Sequence, residues 1–155
     1  KQICLPHLSE MGFLKSFPII SPSYADEWDV IFVTSSDSSD SVWFAVNRST
    51  NREISGFPVV WTVKGATVLE SEYYMLDERM YECNSHKHLT LRSYFIEGNG
   101  FTPSNVDKKW ADSPIPGTFL KREVDLVCGK IKADFRIRTE NTIDLPKLVR
   151  PHIGK

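Results

Sequence analysis

Charge of one sign is what this chain most plainly lacks. Lys and Arg total 19, Asp and Glu total 20, and the formal net charge is -1. A protein that holds nucleic acid by neutralising phosphates carries a basic surplus, so that partner class is disfavoured. Long apolar runs are missing as well. No stretch approaches the roughly 18 residues a bilayer-spanning helix needs, so no membrane partner is expected. The opening Lys1-Gln-Ile-Cys-Leu-Pro has no apolar run behind its basic residue and does not read as a signal peptide. Cysteine is sparse: Cys4, Cys83 and Cys128 are odd in number, and none lies in a Cys-x-x-Cys. The expected state is three reduced thiols in a cytoplasmic or nuclear protein. The alternative is a secreted chain that bridges two and leaves one over. What is present is 155 residues, 41% hydrophobic and 25% charged, enough to bury one core.

Recognisable reaction chemistry is also scarce. No Gly-x-Ser-x-Gly, P-loop or Gly-x-Gly-x-x-Gly occurs, and Gly98-Asn-Gly100 lacks the third glycine and the helix that should follow. His86 and His88 share a strand face near Cys83 and could offer two imidazoles to a metal. No third ligand stands at a recognisable spacing, so they read as surface histidines beside Lys87. Glu70 and Glu72 share a face as paired glycosidase carboxylates would, a spacing common in any strand. Asn47-Arg-Ser is a formal N-glycosylation sequon, short enough to arise by chance. The expectation is a non-enzyme with no cofactor and no metal.

Strand signals dominate what remains. Trp28-Asp-Val-Ile-Phe-Val33 and Ser41-Val-Trp-Phe-Ala-Val46 flank a Ser/Asp-rich loop and predict a hairpin. Ile54 to Val63 keeps Phe57, Val59, Trp61 and Val63 at period two, with Pro58 placing the start on an edge or before pairing begins. Thr67 to Met75 reads as a strand, Asp77-Glu-Arg as a turn, and Met80 to Cys83 as a short extended piece. His88 to Ile96 alternates until Gly98-Asn-Gly100 breaks it. Residues 102–118 leave room for one short helix, around Val106 to Ala111. In Thr118 to Thr139, Val124, Leu126 and Cys128 hold one parity, while Ile131, Ala133, Phe135 and Ile137 hold the other. Gly129 at the slip predicts a bulge or tight bend between two strands. Lys130, Lys132, Arg136 and Arg138 then lie on a solvated strand face. The fold class is therefore all-β: a single antiparallel β-sandwich of seven to eight strands with at most one or two short helices. It would occupy residues 1–150, with residues 139–155 as a C-terminal linker or tail.

Aromatic residues are plentiful: four Trp, nine Phe and five Tyr. Most belong in the core, Phe44 and Trp61 among them, because each buries on the order of 150–250 Å². Leu126 and Phe135 are expected there too. Trp43 has the parity opposite to Val42 and Phe44 and is expected to face outward. With Tyr94 and Phe101 around a Gly-rich turn, it would make a peptide-docking surface.

The order of segments resembles a MATH (meprin and TRAF homology) domain of the kind joined to a BTB domain, over roughly residues 8–150. Ser21-Pro-Ser-Tyr-Ala-Asp-Glu-Trp-Asp-Val-Ile-Phe is similar to the family's "S-P-x-F … W-x-I". Ser41-Val-Trp-Phe-Ala-Val is similar to its "L-S-L-Y-L" strand, and Phe57-Pro-Val-Val-Trp-Thr-Val to "F-x-F-x-I". Gly98-Asn-Gly-Phe101 and Phe119-Leu-Lys-Arg-Glu-Val-Asp-Leu-Val-Cys-Gly-Lys-Ile resemble its close. The resemblance implies an eight-stranded sandwich that binds short extended peptides. In the BTB-linked members these are Ser/Thr-rich motifs of proteins delivered to a cullin ubiquitin ligase. Its groove residues map to Phe57 (Val59 under a shift of two), Tyr94, Asn99, Gly100 and Phe101, with Asn99 where the family has Trp and Ala45 where it has Tyr. With Trp43, these form the expected peptide-binding set. The rival expectation is a secreted immunoglobulin-like or barrel-type domain for a receptor or a small apolar ligand. A disulfide and an occupied Asn47 would favour that rival. Oligomerisation of a neighbouring domain would strengthen a weak peptide site through effective concentration.

Overall fold

The structure, a computed structural model, describes residues 25–34, 41–50, 52–68 and 71–153. Cys4, His7, Glu70 and Ser21 to Tyr24 of the first family-like motif lie outside the described residues. The described chain is an all-β antiparallel sandwich of eight strands with two short α-helices. The strands are β1 (Asp26–Thr34), β2 (Ser41–Asn47), β3 (Arg52–Ile54), β4 (Phe57–Val68), β5 (Ser71–Glu82), β6 (Lys87–Glu97), β7 (Gly100–Pro103) and β8 (Phe135–Thr139). Helix α1 (Phe119–Val127) precedes β8, and α2 (Leu145–Val149) follows it between two 3₁₀ turns. The strands run in the order β7-β6-β5-β4-β2-β1-β8, with β3 beside the start of β4.

Period two explains how one hydrogen-bonded path carries two apolar layers. The register opposes Val30 to Ala45 and Ala45 to Val63, and these join Trp28, Trp43 and Ile137 on one face. Leu145 and Val149 of α2, both fully buried, and Ile96 of β6 complete that layer. On the other face Ile31, Phe44, Val46, Val60 and Tyr81 pack under Val124, Leu126 and Val127 of α1. We call these the α2 face and the α1 face. The segment expected to lead away as a linker thus supplies core residues through Val149.

The predicted β1–β2 hairpin is present, with Ile31 opposite Phe44. The predicted Ile54–Val63 strand is split by Ser55-Gly56, whose φ values of 52° and 80° close a two-residue β3–β4 turn. Pro58 faces only β3, and pairing of β4 with β5 begins at Val59. Asp77-Glu-Arg is no turn but the middle of β5, with a register irregularity at Glu78/Arg79. Three adjacent charges fit a strand here because each is neutralised. Arg79 bonds Asp77 at 2.5 Å and also Glu123, while Glu78 takes Arg52 and Arg92.

Two further expectations are corrected. Residues 104–111 form no helix; they run as an irregular strap pinned by Ser104 N–H to the Ser93 carbonyl and Ala111 N–H to that of His88. The first strand expected between Thr118 and Thr139 is helix α1. Thr118 caps it, accepting from the Lys121 N–H at 3.3 Å, and Lys121 pairs with Asp125 one turn on. Glu123, Val124, Leu126 and Val127 form its buried stripe, so the apparent alternation of Val124, Leu126 and Cys128 was a fragment of helical period. Gly129 is the helix stop rather than a bulge. At φ 71° it donates to the Leu126 carbonyl while Lys130 donates to that of Asp125, a Schellman ending.

Candidate functional site

The four expected ring residues project on one side of the sheet, by register. Ala45 opposes Val63, Val63 opposes Leu76, and Leu76 opposes Tyr94, so Tyr94 belongs to the α2 face with Trp43. Ile96 opposes Phe101, and Ile54 opposes Phe57, which extends the same parity to both ends. Their exposure differs. Trp43 is only 3% exposed, so its expected outward position is corrected: it is core. Its indole lies against Gly65, where an added Cβ would come within 2.1 Å of the ring, and Tyr74 covers it at 6.1 Å. Phe57 is half-buried and meets Trp110 edge-on at 5.5 Å, away from the other three. Tyr94 is half-buried, while Asn99, Gly100 and Phe101 are exposed on the β6–β7 hairpin.

Residues outside the expected site build the richer cluster, among them Trp61, expected in the core and only partly buried. Trp61 is half-buried on the same face, 6.3 Å from the Tyr94 ring. The Arg92 guanidinium lies over its indole at 4.9 Å, a cation–π contact. Beneath sits Glu78, its side chain 4% exposed, accepting from Arg52 at 2.6 Å through one oxygen and from Arg92 at 2.6 Å through the other. The Arg92 pKa rises because Glu78 bonds and neutralises it. Reading residues 77–79 as a turn hid this cluster. As strand residues, Trp61, Glu78 and Arg92 stand side by side on three neighbouring strands.

Past Tyr94, β6 pairs with β7, the outermost of the described strands on that side, and all four β7 residues are exposed. Among the described residues no strand pairs with the other side of β7, which can take a further strand.

The α1 face is charged but enclosed. Burial pushes the Glu123 carboxyl up against the pull of Arg79, which stays protonated between Glu123 and Asp77. Tyr81 donates to Glu123 at 3.3 Å, and burial raises its phenol well above the ordinary value. His88 faces the Tyr81 ring at 5.9 Å; burial, helped by Arg79, lowers its pKa to about 4. His86 contacts Lys130 instead. The two histidines expected to share a face therefore do different things, and among the described residues no group of three His, Cys, Asp or Glu converges. Glu72 bonds Tyr74 and Arg150.

Cys83 and Cys128 are joined in a disulfide, which corrects the reduced-thiol expectation for these two. It ties the β5–β6 turn to the end of α1. Asn47 is buried, and its side-chain oxygen accepts from the Ser49 and Thr50 N–H groups at 2.8 and 3.3 Å. The sequon thus carries a structural turn. No helix among the described residues is long and apolar enough to cross a membrane. No protein-family model, curated protein or solved structure matches the chain.

Proposed function

We propose that this chain is a non-catalytic protein-interaction domain that docks a short extended segment of a partner along the β7 edge and the neighbouring aromatic surface. The observation that carries the reading is the adjacency of two features. A sheet edge with all four residues exposed carries Phe101, and Tyr94 on β6 and Trp61 on β4, 6.3 Å from the Tyr94 ring, continue a line of partly uncovered aromatic groups inward across the same face. A strand added at such an edge gains main-chain hydrogen bonds and sets alternate side chains against Phe101, and a segment that continues over the face from there reaches Tyr94 and Trp61. Trp43 and Ala45, both buried, take no part, while Tyr94 and Phe101 are positions that the MATH resemblance also implies. The Cys83–Cys128 disulfide supports an oxidising compartment and speaks against delivery of partners to a cytosolic cullin ligase.

An array of short extended peptides, probed with the folded chain and with Phe101→Ala and Trp61→Ala, tests this. The reading expects a subset of peptides to be captured by the parent chain and lost by both variants. Capture of none, or equal capture by all three proteins, contradicts it.

A further inference from the structure

Arg52 and Arg92 are long, flexible side chains on different strands, yet both are fixed from below. Each of the two oxygens of buried Glu78 takes one guanidinium at 2.6 Å. Half of each arginine side chain remains exposed, 54% in both cases. Arg92 spends its Nε–H on Glu78 and lays its plane on Trp61, which leaves its terminal N–H groups free of that bond. Arg52 uses one terminal nitrogen on Glu78 and keeps its remaining donors. The recess between them, of about 230 Å³, is lined by Thr50, Arg52, Val59, Trp61, Glu78 and Arg92. Arg92 also lines an adjoining recess with Tyr94 and Lys108. Across the two recesses three cations stand against one carboxylate, and that carboxylate is already engaged.

We infer that the Arg52–Glu78–Arg92 clasp beside Trp61 is a carboxylate-binding subsite that receives an Asp or Glu side chain of the docked segment. The inference rests on the peptide-docking reading and gives it a chemical preference. Two positive groups held in place lose little further freedom when a carboxylate arrives, and paired guanidinium N–H groups match the two oxygens of that group. The Trp61 face and Val59 provide the apolar floor for the methylene stem. Glu78 acts as a positioning residue: its charge holds both guanidiniums without neutralising the second.

The test titrates the isotope-labelled 155-residue chain with N-acetyl-glutamate amide and, separately, with its neutral glutamine twin. Trp61 indole and arginine Nε–H resonances are followed. In parallel, captured peptides are compared with Glu→Gln and Asp→Asn versions. The glutamate compound is expected to shift the Trp61 and Arg92 signals saturably, the glutamine compound at least tenfold more weakly, with the difference shrinking as salt rises. Arg92→Gln should remove the response. Arg52→Gln, which leaves Glu78 its Arg92 partner, should weaken it about tenfold in a chain that stays folded. Equal response to the two compounds, or an unchanged response in folded Arg52→Gln, overturns the inference. Peptides captured without regard to acidity overturn the inference and leave peptide docking standing. A glutamate response with no peptide captured sustains the subsite and overturns the docking reading.

Discussion

Gly65 opens the gap that the Trp43 indole fills, and that pairing sets the behaviour of individual residues on the α2 face. Gly65→Ala would push a methyl group into the ring and is expected to cost about 1–3 kcal/mol, as overpacking does. Trp43→Ala should cost roughly 3–5 kcal/mol, whereas Trp61→Ala, at a half-exposed position, should cost less than about 2 kcal/mol. Denaturant midpoints of the three variants check the order. Period two correctly set Trp43 opposite to Phe44. It could not say which parity faces water, because both sides of this sheet are covered: Phe44 lies under α1 and Trp43 packs in the layer completed by α2. The same blindness affects Asn47, whose sequon gives no hint that its amide is enclosed. Expression through a secretory route should yield a chain whose mass carries no glycan at Asn47.

At the scale of elements, α1 is secured by a covalent link and by charge. The disulfide closes a sequence separation of 45 residues, a constraint worth about 2–4 kcal/mol. Paired Cys83→Ser and Cys128→Ser substitutions should lower stability by that amount, and a reductant should lower the parent to match, both measured by chemical unfolding. The network under α1 carries a pH signature. The His88 pKa is about 4 in the fold and an ordinary 6.5 in the unfolded chain. Between these values the unfolded state holds more protons, so stability falls as pH drops from about 6.5 towards 4 and is unaffected by this group above that window. Burial has raised Glu123, whose contribution has the opposite sign and is lost as pH rises through its folded value. Comparing the parent with His88→Phe therefore isolates the histidine: the variant should lose acid sensitivity between pH 6.5 and 4. A slope unchanged by the substitution would contradict this assignment. The helix itself was readable in principle from Thr118, the Lys121–Asp125 spacing and Gly129. It was missed because Val124, Leu126 and Cys128 satisfy a strand template over too few residues to tell the two periods apart.

Over the whole molecule, the antiparallel all-β class and most strands were legible because long β-rich segments keep their alternation. The strand order required the turns. Ser55-Gly56 and Gly98-Asn99 fix tight hairpins, while charged Asp77-Glu-Arg imitated a turn and hid the centre of β5. That one misreading concealed the Glu78 clasp, since burying a carboxylate in mid-strand is acceptable only when cations from other strands meet it. The resulting surface runs from the β7 edge, unpaired among the described residues, and exposed Phe101 across Tyr94 to the Trp61–Arg92 stack. The most direct measurement is isothermal titration of a peptide captured by the array into the parent chain and into Phe101→Ala and Trp61→Ala, each shown to be folded. The account predicts saturable one-to-one binding by the parent and at least tenfold weaker binding by both variants. Undiminished affinity in the folded variants would show that these rings are not where a partner lies.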